Sequence, residues 1–172
     1  MRWDEAPIPH RRGERTVLAG RTAFGAAVHC VGQATRLNDP WLARGVAYRW
    51  DGLRWTETAT PEIARYWGLF AVDGAAPDDL WAVGADAEQP VILHWDGQVW
   101  SRVPIPATGC WGQLTDVVAL GAYDVWATGG LANQPGSHAL RRGAPALAMH
   151  WNGRRWTLAR PPTDLTHLTA GG

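Results

Sequence analysis

Arginine is the residue whose placement in this chain most suggests binding chemistry. All sixteen basic residues are arginine, and seven of them lie in three Gly- or Pro-containing stretches, 9–15, 32–45 and 130–145. A guanidinium group is planar and permanently charged, so it suits carboxylates and other anions. A tryptophan beside such groups would add a stacking surface for a sugar. The candidate ligand-binding residues are Arg11, Arg12, Arg36, Trp41, Arg44, His138, Arg141 and Arg142.

The chain lacks the residue arrangements that are typical of active sites. Ser101 and Ser137 are its two serines, and neither lies in a nucleophile motif. It has no Gly-rich phosphate loop and no paired general acid and base. The histidines and carboxylates do not have metal-ligand spacing. Cys30 and Cys110 are expected to be unpaired buried thiols. We therefore predict no catalytic residue, no metal site and no cofactor.

An internal repeat sets the positions of these residues. The segments RWDGLRWTETATP (49–61), HWDGQVWSRVPIP (94–106) and HWNGRRWTLARPP (150–162) align without gaps, at spacings of 45 and 56 residues. Each contains two tryptophans around an Asp-Gly or Asn-Gly pair. Because repetition at matched positions favours a structural role, these tryptophans are expected to pack between neighbouring repeats.

A second repeated block precedes each of these segments. LFAVDGAAPDDLWAVG (69–84) aligns with LTDVVALGAYDVWATG (114–129), and VLAGRTAFGAAVHCVG (17–32) is a weaker copy in which His29 replaces the tryptophan. We expect His29 to be a tolerated core variant. The tryptophans of both blocks, all assigned a structural role, are Trp50, Trp55, Trp81, Trp95, Trp100, Trp126, Trp151 and Trp156.

The local chemistry of both blocks predicts strands. Runs such as LWAVG and VWATG are short, apolar and ended by glycine. Each repeat is therefore expected to hold four strands, a to d, with the first repeated tryptophan at the end of c and the second in d. Asp51-Gly52, Asp96-Gly97 and Asn152-Gly153 predict two-residue type I′ turns between c and d. Proline then ends strand d, because it cannot donate a ladder hydrogen bond.

Four antiparallel strands repeated every 45–56 residues are typical of a β-propeller. The run Val125-Trp126-Ala127-Thr128-Gly129-Gly130, then a variable loop, the Trp-Asn-Gly hairpin, Trp156 and Pro161-Pro162 together resemble kelch-type repeats. Such repeats occur in galactose-oxidase-like propellers and in bacterial kelch-like proteins. The resemblance covers nearly the whole chain. The Gly-Gly pair is present only at 129–130, since the other repeats have Gly32-Gln33 and Gly84-Ala85.

The alignment predicts an all-β, incomplete propeller or half-propeller. WDEAPIP aligns with WSRVPIP, so the chain is expected to open on strand d of a preceding blade, and LTHLTA aligns with LTDVVA at the start of a further blade. The single propeller-like region, 1–172, is divided into strand d of a preceding blade (3–9), blade 1 (17–61), blade 2 (66–106), blade 3 (111–162) and the start of a further blade (163–172).

Three blades are fewer than the four to eight that typically close a propeller. Unpaired edges and uncovered apolar faces favour association. Three possibilities stay open. The chain is a fragment of a longer propeller, it forms a homodimer with six blades, or it is an open arc.

The four-strand pattern also predicts which loops share a rim. The b–c and d–a loops lie on one rim, which would gather the arginines of 9–15, 32–45 and 130–145. The opposite rim would be acidic and would carry Asp51, Asp73, Asp78, Asp79, Asp96 and Asp124. Asp79 and Asp124 are expected to bond backbone in the a–b turn. His94 and His150 are expected on a solvated or inter-blade face.

The balance of sixteen basic and sixteen acidic residues argues against nucleic acid as a partner. No apolar run is long enough for a membrane span. The first twenty residues lack the apolar centre of a signal peptide, so no compartment is predicted.

The function predicted from these observations is a non-enzymatic binding or interaction module. Its ligand, a protein or a glycan of anionic or carbohydrate character, would lie on the rim of b–c and d–a loops. Two alternatives stay open. A lectin-like glycan binder would be favoured if Trp41 is exposed beside polar loop groups. A fragment of a propeller enzyme, of oxidase or sialidase type, is the other. The resemblance to the oxidase implies copper ligands, and none can be placed in this chain.

Overall fold

The chain folds into antiparallel β-sheets. The computed structural model describes residues 6–87, 89–132 and 145–159. Twelve strands in these ranges form three four-stranded sheets, and the described residues contain no helix. This confirms the prediction of an all-β chain built from four-stranded antiparallel units.

Each sheet is a simple meander in which consecutive strands are neighbours. The first sheet contains β1 (Glu14–Phe24), β2 (Ala27–Arg36), β3 (Asp39–Trp50) and β4 (Trp55–Thr58). The second contains β5 (Trp67–Ala76), β6 (Asp79–Asp86), β7 (Gln89–Trp95) and β8 (Trp100–Arg102). The third contains β9 (Trp111–Gly121), β10 (Asp124–Ala132), β11 (Ala146–Trp151) and β12 (Trp156–Leu158).

The turns between the last two strands of each sheet differ from the predicted type I′ form. Trp50 pairs with Trp55, so the first of these loops contains the four residues 51–54. Gly52 has a φ of 97°, but Asp51 does not have a positive φ. Asp51 instead accepts hydrogen bonds from the backbone N–H groups of Leu53 and Arg54, at 2.9 Å each. The prediction of a two-residue turn was wrong because the aspartate caps the loop with its side chain.

The sheets pack face to face in chain order. One cluster joins the first and second sheets and includes Val31, Ala47, Leu69 and Trp100. Trp100 also donates its indole N–H to the hydroxyl of Thr58 across this boundary, at 3.1 Å. A second cluster, which includes Trp81, Ile92, Leu114, Met149 and Trp156, joins the second and third sheets. Extensive contacts between sheets therefore link the first to the second and the second to the third.

The innermost strands of the three sheets lie around one cavity. β1, β5 and β9 line a space of about 370 Å³, with Arg21, Asp73 and Asp116 among its lining residues. Asp73 accepts a hydrogen bond from the hydroxyl of Thr22 at 3.2 Å and one from the backbone N–H of Ala119 at 2.9 Å. This carboxylate of the second sheet is therefore hydrogen-bonded to both the first and the third sheet. Asp73 lies within strand β5 and not in a loop of the predicted acidic rim.

A repeated glycine allows the two inner strands of each sheet to approach closely. A Cβ atom on Gly32, Gly84 or Gly129 would collide with a backbone carbonyl oxygen of the neighbouring inner strand. These three glycines occupy the same position in the three repeats. The position is therefore restricted to glycine by backbone contact.

Candidate ligand-binding rim

The loops between β2 and β3 and the segments that precede β1, β5 and β9 lie at one end of the sheets, here called the upper rim. The stretch 32–45, predicted as a loop, is mostly strand, since β2 continues to Arg36 and β3 begins at Asp39. Leu37 and Asn38 form the turn between them. The N–H of Leu37 donates to the carbonyl of Gly13 at 2.9 Å, which joins this turn to the segment before β1.

This junction brings three of the predicted arginines together. Arg11, Arg12 and Arg36 line a cavity of about 540 Å³ with Glu14 and the 37–38 turn. Arg11 lies 3.3 Å from Glu57. Arg12 and Arg36 are exposed and form no ion pair within the described part of the chain. Two guanidinium groups are therefore available to an anion at this cavity.

Arg44, the fourth predicted arginine in the described residues, is already paired. Its guanidinium lies 2.6 Å from Glu57 and 2.9 Å from Glu14. Burial alone would lower the pKa of Arg44, but the hydrogen bonds and charges of the two glutamates raise it overall. Arg44 therefore holds Glu14 and Glu57 in place and offers no free positive charge to a ligand.

Trp41 lies on the upper rim and is 76% exposed. Its ring lies 6.3 Å from the ring of Tyr66, which is also exposed, at an interplanar angle of 53°. Two contacts hold the segments of this aromatic pair together. The N–H of Ala43 donates to the carbonyl of Arg65 at 3.0 Å, and the guanidinium of Arg65 lies 2.6 Å from Asp39.

A second cavity, of about 550 Å³, is lined by Arg36 on one side and by the segment 62–65, directly before Tyr66, on the other. Glu14 and Arg36 line both cavities, and Arg65 and Trp67 line the second one only. Tyr66 and Arg65 were missed in the sequence, although their place directly before the buried Trp67 marks the beginning of an inner strand. The signal was weak because nothing in the local pattern links residues 65–66 with Trp41.

The remaining predicted ligand-binding residues, His138, Arg141 and Arg142, lie outside the described residues. The upper rim is therefore built here from the first sheet and from the segment that leads into the second sheet.

The repeated tryptophans lie mainly between the sheets. Trp81 packs on the pair Trp151 and Trp156 of the third sheet, at ring distances of 4.9 and 5.3 Å. Trp95 and Trp100 are buried against the first sheet. By contrast, Trp50 and Trp55 lie on the outer side of the first sheet, and Trp126 lies on the outer side of the third sheet. These three are only half-buried.

Two aspartates that were predicted to bond backbone pair with histidines instead. Asp79 lies 2.8 Å from His94, and Asp124 lies 2.8 Å from His150. His94 and His150 had been expected on a solvated or inter-blade face, and each also contacts the ring of a strand-b tryptophan. The backbone prediction was wrong because the antiparallel pairing of the two middle strands places each histidine within reach of the carboxylate.

The opposite end of the sheets, the lower rim, contains the capped turns. Asp96 accepts hydrogen bonds from the backbone N–H groups of Gln98 and Val99, at 2.9 and 2.8 Å. The N–H groups of Val99 and Gln98 lower the pKa of this carboxyl, and the corresponding bonds from Arg54 and Leu53 lower that of Asp51. These carboxylates are therefore turn caps.

No group of three or more His, Cys, Asp or Glu side chains that could hold a metal ion occurs in residues 6–87, 89–132 and 145–159. Cys30 and Cys110 are free; Cys30 is buried and Cys110 is half-buried. Burial raises the pKa of the Cys30 thiol, which disfavours the nucleophilic thiolate. Within the same part of the chain, no helix has the length and apolar character needed to span a membrane.

Comparisons with protein-family models, with curated proteins and with solved structures found no match to this chain.

Proposed function

We propose that this chain is a non-enzymatic binding module of the β-propeller type, and that its ligand is a carboxylate-bearing carbohydrate held on the upper rim. The observation that carries the ligand proposal is that the exposed aromatic pair of Trp41 and Tyr66 lies on the same rim as the unpaired Arg12 and Arg36. A rigid aromatic surface stacks on the apolar face of a sugar ring. A guanidinium group pairs with a carboxylate.

The propeller part of the proposal is supported by the order and packing of the sheets. Three four-stranded meanders pack face to face, and their first strands lie around a shared cavity. Each sheet can thus be one blade of a kelch-like propeller, with β1, β5 and β9 as innermost strands. A rigid scaffold with variable loops at one end is a common basis for binding sites.

The local charge favours an anionic ligand. On the upper rim, Glu14 and Glu57 are both paired with Arg44, and Glu57 also contacts Arg11. Arg12 and Arg36 are left without an ion pair among the described residues, so the cavity they line has uncompensated positive charge. Because these groups are exposed, their attraction for a ligand should weaken as salt concentration rises.

A glycan array with acidic and neutral members tests this proposal. Wild-type protein should bind carboxylated glycans more tightly than their neutral counterparts. Trp41→Ala should weaken binding to both classes, since it removes the stacking surface. Arg36→Glu should weaken binding to the acidic class alone. A loss on the order of tenfold is expected for each, as for a contact worth about 1.4 kcal/mol.

Matched controls lie on the lower rim, where Tyr123 and Arg54 are similarly exposed. Tyr123→Ala and Arg54→Glu should leave glycan binding unchanged. Binding of the array by wild type with no effect of Trp41→Ala would refute the stacking role. If no glycan binds, but an acidic protein is retained in an Arg36-dependent manner, the ligand class is wrong while the rim assignment stands.

A further inference from the structure

The outer face of the third sheet is an apolar surface that no other segment of residues 6–87, 89–132 and 145–159 covers. Val118 and Leu120 of β9 are 45% and 69% exposed. Trp126 of β10 pairs with Val118 on one side and with His150 of β11 on the other, so these side chains share one face. Here this set is called the open face of the third sheet.

Two members of this set, the tryptophan and the histidine, recur in the second sheet, where Asp73 stands at the position of Val118. Trp81 and His94 pair across β6 and β7 as Trp126 and His150 pair across β10 and β11. In the second sheet the tryptophan is only 3% exposed, because Trp156 and its neighbour Trp151 pack on it. The structure thus shows what covers this type of face, namely the tryptophan pair at the c–d hairpin of another sheet.

The first sheet carries such a tryptophan pair on its own outer face. The rings of Trp50 and Trp55 lie 5.6 Å apart, compared with 6.0 Å for Trp151 and Trp156. The pair borders an outer cluster that includes Val46. We call this surface the open face of the first sheet.

The edge of the open face of the first sheet resembles the boundary between the second and third sheets. Ile105, in the segment that follows β8, packs on the cluster between the second and third sheets. Ile8 matches Ile105 in the repeat alignment of WDEAPIP with WSRVPIP. Ile8 packs on the outer cluster of the first sheet in the same manner. The segment before β1 therefore takes the place that a linker from a neighbouring sheet would take.

The two open faces also differ in charge near the inner strands. Gly20, Ala71 and Asp116 hold equivalent positions in β1, β5 and β9, since they pair with Val31, Val83 and Thr128 of the three repeats. At the boundary of the first and second sheets, Gly20 abuts the backbone of Ala71. The same packing at the open faces would place Asp116 next to Gly20 and Arg21 of another first sheet. An acidic group would then meet a basic group.

We propose that the open face of the third sheet docks on the open face of the first sheet of a second copy of this chain, so that two copies close a ring of six sheets. The faces differ from each other, and a two-fold axis would form the same contact twice. Six lies within the four to eight blades at which propellers typically close. The proposal rests on the propeller architecture proposed above and not on the carbohydrate ligand, so either can fail without the other.

The mass of the protein in solution is the first test. Light scattering should give twice the 18.8 kDa mass of the chain. Trp126→Glu places a charge where the equivalent Trp81 is buried between sheets, so it should raise the dissociation constant at least about tenfold and leave the variant monomeric where wild type is dimeric. The matched control is Val99→Glu, because Val99 is 53% exposed but lies in the lower-rim turn of the second sheet. It should leave the dimer intact.

A mixing experiment distinguishes this head-to-tail arrangement from other dimers. Trp126→Glu damages one of the two surfaces, and Trp55→Glu damages the other, so each variant alone should be monomeric. A mixture should form a one-to-one complex, because one of its two interfaces contains neither substitution. Circular dichroism of each variant verifies folding, and Trp50→Glu replaces Trp55→Glu if the latter unfolds.

Three outcomes would overturn the proposal. The first is wild-type protein that stays monomeric at high concentration. The second is a dimer that survives Trp126→Glu. The third is open-ended growth beyond two copies, which would mean that the contact forms without closing a ring.

Discussion

Asp79 and His94 form a side-chain pair at 2.8 Å that the third sheet repeats at the same distance with Asp124 and His150. In both sheets the imidazole lies against the tryptophan of the second strand, with ring centroids 4.4 Å apart. Each such set holds the two middle strands of a sheet together near the lower rim.

The first sheet lacks all three members of this set. Ala27, His29 and Arg49 stand at the positions of the aspartate, the tryptophan and the histidine. His29 pairs with Arg49 across β2 and β3 in the register that Trp81 and His94 have in the second sheet. The set is therefore replaced as a unit, which is expected when residues depend on one another.

The Asp79–His94 pair should show a coupling free energy of about 1 kcal/mol in a double-mutant cycle. The cycle compares Asp79→Ala, His94→Ala and the double variant in urea unfolding. Asp79→Ala combined with Arg65→Ala, on the upper rim, should be additive and provides the control. An additive Asp79–His94 cycle would show that the carboxylate and the imidazole act independently.

Gly84→Ala should destabilise the fold by about 1–3 kcal/mol, because the added methyl group would meet the backbone carbonyl of Gly68 and neither strand can move away freely. Gly121→Ala is the matched control, since a Cβ atom there has no neighbour within 4 Å. It should change the free energy of unfolding by less than about 0.5 kcal/mol. Thermal unfolding of both variants measures the difference. Equal stabilities would contradict the close approach of the inner strands.

Asp96 should be replaceable by Asn but not by Ala. The amide oxygen of Asn152 accepts hydrogen bonds from the N–H groups of Arg154 and Arg155 at 3.1 Å each, so the third sheet already uses this cap. At neutral pH, Asp96→Ala should be less stable than wild type, and Asp96→Asn should be close to wild type.

Acid provides a further test of the same cap. The backbone N–H groups lower the pKa of Asp96, so the charged cap stabilises the fold above the ordinary aspartate pKa near 3.9. This contribution is lost as the pH falls through the lowered value. The stability gap between wild type and Asp96→Ala should therefore narrow in acid. The gap between the Asn and Ala variants should stay constant.

Because of His29, the free energy of unfolding should decrease in mild acid. Burial, together with the charge of Arg49, lowers the pKa of this imidazole from 6.5 to about 4. Between these two pH values the unfolded chain binds a proton that the folded chain does not. Stability must therefore fall as the pH decreases through this window.

His29→Phe isolates this effect, because it keeps a planar ring and removes the titrating group. Urea unfolding at pH 7.5 and 5.0 should show a smaller loss of stability for the variant than for wild type. The exposed Val99 provides the control, since Val99→Phe adds the same ring without removing a titrating group and should lose as much stability as wild type does between these two pH values. A His29→Phe variant with an unchanged pH dependence would contradict the assignment.

The sequence alone was sufficient to predict the all-β class and the four-stranded antiparallel units. The reason is that these features depend on short-range chemistry. Apolar runs such as LWAVG, Asp-Gly or Asn-Gly pairs at fixed offsets and prolines after the last strand each act within a few residues. Repetition at 45 and 56 residues then strengthens every local signal.

Details within each unit depended on geometry that the pattern does not carry. A type I′ turn and an Asp-capped four-residue loop both use an Asp-Gly pair, and only the pairing of Trp50 with Trp55 distinguishes them. The Asp79–His94 contact likewise depends on the strand register, which places two residues 15 apart in the chain beside each other.

The upper rim shows the same division between sequence and tertiary structure. The residue types of Arg36, Arg44 and Trp41 indicated binding chemistry, but nothing local could show that Glu14 and Glu57 neutralise Arg44 or that Tyr66 lies beside Trp41. The sequence by itself determined the strands and their repetition, because hydrogen bonding and turn chemistry are local. Only the tertiary structure decided which charges stay unpaired and which tryptophans stay uncovered, because both depend on how whole sheets pack.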